Sequence, residues 1–155
     1  MKPTIRITKM FKFETAHSLA GYDGLCKNIH GHSYELLVTV SGQPIENAAH
    51  PKNGMVMDFG DLKKIVKKII VEPMDHALVL RKDVSGDLIN ELKKLYDKII
   101  LVDYQPTSEL MLVDFARKIK AQLPENVRLK HLLLRETVTS YAEWFAEDNE
   151  EDSPE

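Results

Sequence analysis

Cysteine is almost missing from this sequence: Cys26 is the only one in 155 residues. A single thiol excludes an internal disulfide. It leaves three roles for the residue, a small buried hydrophobe, a bystander or a working thiol. Long apolar runs are missing too, and the longest, a few residues each, fall far short of a membrane span. The opening MKPTIRITKMFKF mixes charged and apolar side chains, so it contains no signal-peptide apolar block, and the cytoplasm is the expected compartment. There is no internal repeat and no low-complexity stretch before the C-terminal tail. A strong charge of one sign is also lacking. The net charge is −3, but six of the last nine residues are acidic, and without them 21 basic residues face 18 acidic ones. A body at +3 can accept a small anion and is too weakly basic to argue for nucleic acid. The tail EDNEEDSPE reads as a solvated, disordered end over 147–155, leaving 1–146 as one domain.

The chain has what one globular domain needs: 43% hydrophobic and 29% charged residues. Residues 4–14 alternate, with Ile5, Ile7, Phe11 and Phe13 on one parity, which predicts a half-buried strand. Residues 30–41 predict a second, with Tyr34, Leu36, Val38 and Val40 on one face. Residues 42–54, GQPIENAAHPKNG, form a turn-rich connection. Asp58 caps a helix whose apolar stripe runs from Phe59 to Ile70, and Pro73 is expected to end it. Ser85 caps a shorter helix with Leu88, Ile89, Leu92 and Leu95 inward. Residues 98–102 read as a short strand. Thr107 opens a third helix with Leu112, Phe115, Ala116 and Ile119 on its stripe. Residues 127–137 and 141–146 close the chain as a strand pair. The order implies an α+β domain with a mostly antiparallel sheet.

Chemistry concentrates in CKNIHGH, where Cys26 stands four residues before His30 and six before His32. Residues two apart in a strand share a face, so the two imidazoles point together on the apolar side. Neutral imidazole nitrogens are good ligands for zinc, and a catalytic zinc typically keeps three protein ligands and one open position. His17, at the end of the first strand, can supply the third if the two strands pair. Cys26 as a fourth ligand makes a closed, structural site; Cys26 beside three histidines makes an open one. Spacing alone leaves both standing. His50 falls in a loop and His131 among strand leucines, and neither reads as a ligand.

Three further positions carry polar groups worth following. Asp75 and His76 adjoin in the loop after the first helix, the raw material of a proton relay and equally of an ordinary loop. Thr107, Ser108 and Glu109 suit a helix start on capping grounds alone. Glu136 shares parity with Leu132 and Leu134, and a carboxylate on that face needs a partner. A guanidine-like edge donating two parallel N–H bonds would satisfy it.

The ordered set FETAHSL, CKNIHGHSY, GMVMDFGDLK, MDHALVL, PTSEL and RETVTSYAEW resembles the 6-pyruvoyltetrahydropterin synthase / 6-carboxytetrahydropterin synthase family over roughly residues 5–146. The resemblance implies a tunnelling fold, a four-stranded antiparallel sheet with helices on one face. It implies a homohexamer of two trimers with active sites between subunits. It makes His17, His30 and His32 zinc ligands, Cys26 the general base, and Asp75 with His76 its relay from a neighbouring subunit. Glu136 would anchor the pterin, with Thr107, Ser108 and Glu109 as further substrate contacts. The C-x₃-H-G-H spacing and Ser33 resemble the bacterial 6-carboxytetrahydropterin branch, which feeds 7-deazaguanine (queuosine) synthesis; the 6-pyruvoyl branch is the alternative. A third branch carries glutamate where this chain has Cys26. The 42–54 connection and the acidic tail depart from the family pattern. Two rivals of other classes are a non-catalytic zinc-stabilised assembly protein and a metal-free thiol hydrolase using Cys26, His76 and Asp75.

Overall fold

A computed structural model describes residues 2–149. Residues 150–155, which hold most of the acidic tail, lie outside the described residues. Of the tail's first residues, Glu147 and Asp148 belong to a 3-10 turn, Ala146–Asp148, and Glu147 pairs with Arg6 at 3.3 Å.

Among the described residues six strands form one sheet: β1 (Ile5–His17), β2 (His30–Gly42), β3 (Ala77–Arg81), β4 (Ile99–Val102), β5 (Arg128–Thr137) and β6 (Ser140–Phe145). Their spatial order is β4-β3-β1-β2-β5-β6. The four strands β1, β2, β5 and β6 are antiparallel neighbours, as the family resemblance implies. The sheet is wider than that four-strand expectation, because β3 and β4 extend it by parallel pairing beside β1. Ala77–Arg81 was not separable from loop in the sequence: a five-residue apolar run buried in a parallel ladder shows no alternation.

The long β1/β2 pairing sets everything else. Its register places His17 opposite His30, Thr15 opposite His32, Phe13 opposite Tyr34 and Phe11 opposite Leu36. Directly opposed residues share a face, so the apolar residues of both strands make one surface that ends in imidazoles. Leu132 and Leu134 of β5 continue it. Helices cover this surface. α1 (Phe59–Val66) contributes Leu62 and Val66, and α4 (Ser108–Lys120) contributes Met111, Leu112, Phe115, Ala116 and Ile119. Each such side chain removed from water contributes about 1.5–3 kcal/mol, which is what clamps helices to sheet.

Pro73 does not end the first helix. A π-helical segment, Lys67–Val71, leads into a last short turn, α2 (Glu72–Met74), which contains the proline. The wider π turn accommodates a residue that has no N–H to give. The chain turns only at Asp75, whose backbone is extended. α3 (Gly86–Leu95), capped by Ser85 as expected, buries Ile89 alone. Leu88 and Leu95 are 48% and 74% exposed rather than inward, since α3 makes few contacts with the sheet. No described helix is long and apolar enough to cross a membrane.

Candidate active site at the histidine end of the sheet

The β1/β2 register delivers three imidazoles to one place. Ring centroids lie 4.6 Å apart for His17 and His30, 5.1 Å for His17 and His32, and 4.9 Å for His30 and His32. Gly31, between the two β2 histidines, faces away, and a methyl there would press on Thr15 O at 3.3 Å. One ligand atom from each of His17, His30, His32 and Glu136 falls within 4.8 Å of all the others. The three histidines were legible from strand parity. Glu136 arrives by a different device: the β5/β6 register slips between Arg135 and Thr137, so Glu136 is the extra residue of a bulge. Bulges re-aim side chains beside functional sites.

The tautomers follow from the partners. His17 Nδ1 lies 2.7 Å from the carbonyl oxygen of Pro106, and His30 Nδ1 lies 2.8 Å from that of Asn28. A carbonyl only accepts, so both Nδ1 atoms carry hydrogen and both Nε2 atoms are bare. These two Nε2 atoms face each other at 3.1 Å. Two lone pairs held that close call for a cation or a proton between them. His32 Nε2 is 2.9 Å from Glu136 Oε1 but off the line a hydrogen bond needs, so it has no hydrogen-bond partner among the described residues. Backbone-oriented imidazoles with converging bare nitrogens are how proteins prepare metal ligands. The donor set fits a borderline ion such as zinc.

Charge in the site is tuned by burial. Desolvation pushes His17 down from its ordinary value, with His30 adding to it and the Pro106 carbonyl opposing. Desolvation likewise lowers His32, against the pull of Glu136. Both rings are therefore neutral and ready to ligate near pH 7. Because the folded pKa values lie below the unfolded 6.5, the unfolded chain binds more protons in acid. Their contribution to stability is complete above pH 6.5 and drains away as pH falls from there through the lowered folded values. The metal-free protein should thus show a urea midpoint that declines below pH 6.5, and a His17→Gln variant should show a flatter decline. A wild-type midpoint constant between pH 7 and pH 5 would contradict this.

Around the centre, α4 supplies its N-terminus. Thr107 is the N-cap, its hydroxyl accepting from Leu110 N–H at 3.2 Å. Ser108 is buried and donates to Glu136 Oε2 at 2.5 Å, so it acts on Glu136 directly. Glu109 is exposed in the first turn of the helix and, among the described residues, makes no hydrogen bond or ion pair with these groups. Tyr34, beneath the histidines, keeps its proton: burial chiefly, then Glu136 and Cys26, push its phenol far above the usual value. Its hydroxyl is buried without a hydrogen-bond partner among the described residues.

Cys26 lies half-buried in a 3-10 turn, Leu25–Lys27, on the loop joining β1 and β2. It is outside the four-residue ligand group. Asp75 and His76 are held elsewhere. Asp75 Oδ1 accepts from Glu14 N–H at 2.9 Å, which with His76 keeps its carboxyl below the ordinary range. His76 Nδ1 is 3.1 Å from Asp75 Oδ2, its ring is exposed, and its backbone is left-handed with φ 61°. That strained conformation is over-determined by the Glu14 contacts and by Lys98 Nζ, which donates to Glu72 O and Asp75 O at 2.7 Å each. Among the described residues no hydrogen bond or ion pair joins this pair to Cys26. Beside it opens a groove of about 880 Å³, lined in part by Ala16, Gly31, Leu78, Leu95 and Tyr96. Residue spacing gave no sign of the Pro106 and Asn28 carbonyls, Tyr34 or Lys98 as site residues.

Known proteins of similar sequence and shape bear on this arrangement. The family model described as 6-pyruvoyl tetrahydropterin synthase matches residues 6–147. The chain is 40% identical over 143 residues to a 6-carboxy-5,6,7,8-tetrahydropterin synthase of Haemophilus influenzae, spanning 90% of this chain and 97% of that one. It is 31% identical to the protein of the same name from Aquifex aeolicus, over 91% of this chain and 98% of the other. Among solved structures, the 6-pyruvoyl tetrahydropterin synthase of Caenorhabditis elegans superposes with a TM-score of 0.65 at 22% identity, over 94% of this chain and 97% of that one. That likeness extends to the tunnelling fold. A matching model over nearly the whole chain, together with relatives at this identity, makes the protein a member of the 6-pyruvoyl tetrahydropterin synthase family.

Proposed function

We propose that this protein is a zinc-dependent 6-carboxy-5,6,7,8-tetrahydropterin synthase. It takes 7,8-dihydroneopterin triphosphate and water to 6-carboxytetrahydropterin, acetaldehyde and triphosphate, in the cytoplasm, as a step toward 7-deazaguanines such as queuosine. The observation that carries the reading is the convergence of three imidazoles, two of them with bare Nε2 atoms, beside a carboxylate held by Ser108. The names of the relatives in Haemophilus and Aquifex favour the 6-carboxy product over the 6-pyruvoyl one.

The roles follow from chemistry. His17, His30 and His32 hold zinc, which when bound supplies a Lewis acid for the oxygens of the substrate's side chain. Glu136 accepts two N–H bonds from the pterin's 2-amino and ring N–H edge. Ser108 occupies one oxygen of that carboxylate and fixes its plane; Thr107 and Glu109 stand at the same helix start. Cys26, as thiolate, takes a carbon-bound proton from the side chain. His76, oriented by Asp75, returns a proton, and triphosphate leaves before the side chain is cut. The reaction needs no external oxidant.

A complete site on this reading draws Asp75 and His76 from a neighbouring subunit in a homohexamer of two trimers. Two features support that: among the described residues no hydrogen bond or ion pair joins the pair to Cys26, and the apolar side chains Leu25, Leu95 and Val138 are left 86%, 74% and 91% exposed.

The test is turnover of dihydroneopterin triphosphate by zinc-loaded protein, with products read by mass spectrometry. The expected result is 6-carboxytetrahydropterin and acetaldehyde in equal amounts. A 6-pyruvoyl product without acetaldehyde would move the protein to the other branch, and no turnover would sink the enzyme reading.

A further inference from the structure

Residues 18–29, the loop that carries Cys26, are scarcely held by packing. Leu25 is 86% exposed, and Tyr22 and Ile29 are exposed as well. The loop's own hydrogen bonds are local. Leu19 N–H donates to Cys26 O at 2.9 Å and closes its neck, and Lys27 and Asn28 donate back to Gly24 and Leu25. Among the described residues, one side chain from a distant part of the sequence hydrogen-bonds to the loop. Gln105 Oε1 accepts from Ala20 N–H at 3.1 Å, and its Nε2 donates to Ala20 O at 2.8 Å. Both halves of the amide are thus spent on one residue, adjacent to the Leu19 that grips Cys26.

The next residue, Pro106, gives its carbonyl to His17 Nδ1. A single dipeptide therefore touches both halves of the site. Its backbone orients a ring of the histidine centre, and its side chain fixes the loop that bears the thiol.

We propose that Gln105 is a positioning residue that sets Cys26 in register with the histidine centre. This rests on the reading of Cys26 as the base. The clamp needs one donor and one acceptor on the same planar group, which an amide has. A carboxylate has only acceptors, and a leucine has neither. Because Gln105 grips the backbone of the loop and no ligand side chain, its loss should move the thiol and leave the metal in place.

The test uses the full chain, loaded with zinc, as wild type, Gln105→Leu and Gln105→Glu. Three quantities are read: zinc content, kcat and KM for dihydroneopterin triphosphate, and the rate of iodoacetamide alkylation across pH. With one cysteine in the chain, alkylation reports Cys26 alone. The expected result is full zinc content, a kcat lowered by about 10–100-fold in Gln105→Leu, and a KM within about threefold of wild type. The alkylation profile should shift. Gln105→Glu keeps the bond from Ala20 N–H but sets a second acceptor against Ala20 O, so it should also lower kcat with zinc retained, and it carries the test if Gln105→Leu does not fold. An unchanged kcat with a superimposable alkylation profile would overturn the proposal, as would a loss of zinc that accounts for the loss of rate. If the wild-type protein does not turn over the pterin, the reading of the reaction fails first; the alkylation profiles then decide the clamp alone, a shift supporting it and coincidence overturning it.

Discussion

Replacing Cys26 by alanine should lower turnover by about 10²–10⁴-fold, the range supplied by a positioned general base, with zinc content unchanged. The expectation comes from where the residue sits. Cys26 lies on the loop joining β1 and β2, outside the ligand group, and the four converging ligand atoms come from His17, His30, His32 and Glu136. Alanine removes the sulfur with little change in volume and touches no loop hydrogen bond, since Cys26 is tied in through its carbonyl. Metal analysis alongside kinetics separates the readings. Loss of rate with zinc retained assigns the thiol to chemistry. Loss of zinc would make Cys26 a fourth ligand and the site a closed, structural one, as in the assembly-protein alternative. Retention of both zinc and full rate would remove Cys26 from the mechanism.

Stripping the metal should also remove most of the turnover. A chelator, followed by removal of the chelate, should lower turnover by about 10³-fold or more, and zinc should restore it, because a Lewis acid supplies several kcal/mol of charge stabilisation. Stability should move with it. A ligand bound only by the folded state adds about 4 kcal/mol when present at a thousand times its Kd. The melting temperature of the loaded protein should therefore exceed that of the stripped protein. The structural reason is the 3.1 Å approach of two bare nitrogens, His17 Nε2 and His30 Nε2, which only a shared cation or proton relieves. The metal-free thiol hydrolase reading predicts the opposite, a rate indifferent to chelation.

How far the sequence discloses this site depends on the range of each interaction. The histidine centre was legible because it needs only two strands. Parity puts His30 and His32 on one face, and one hairpin-like register brings His17 opposite His30. The third helix was equally plain, since Thr107 caps it and its apolar stripe is buried as spaced. What sequence could not disclose are contacts that only folding brings together. The Pro106 carbonyl reaches His17 across 89 positions, and Gln105 reaches Ala20 across 85. Backbone carbonyls carry no side-chain signature, so no motif announces them. Glu136 was marked as needing a partner, but its delivery by a bulge and its capture by Ser108 depend on a register slip that alternation does not encode. Pro73 misled for a similar reason: the π segment before it relieves the steric rule that normally stops a helix. Leu88 and Leu95 of α3 kept helical spacing without a surface to cover within one chain.

The most direct test of the central claim, an open three-histidine centre with the thiol outside it, is X-ray absorption at the zinc edge of the loaded, substrate-free protein. The account predicts nitrogen and oxygen scatterers alone, near about 2.0–2.1 Å, with the outer-shell pattern of three imidazoles. A sulfur scatterer near about 2.3 Å would place Cys26 on the metal and contradict it.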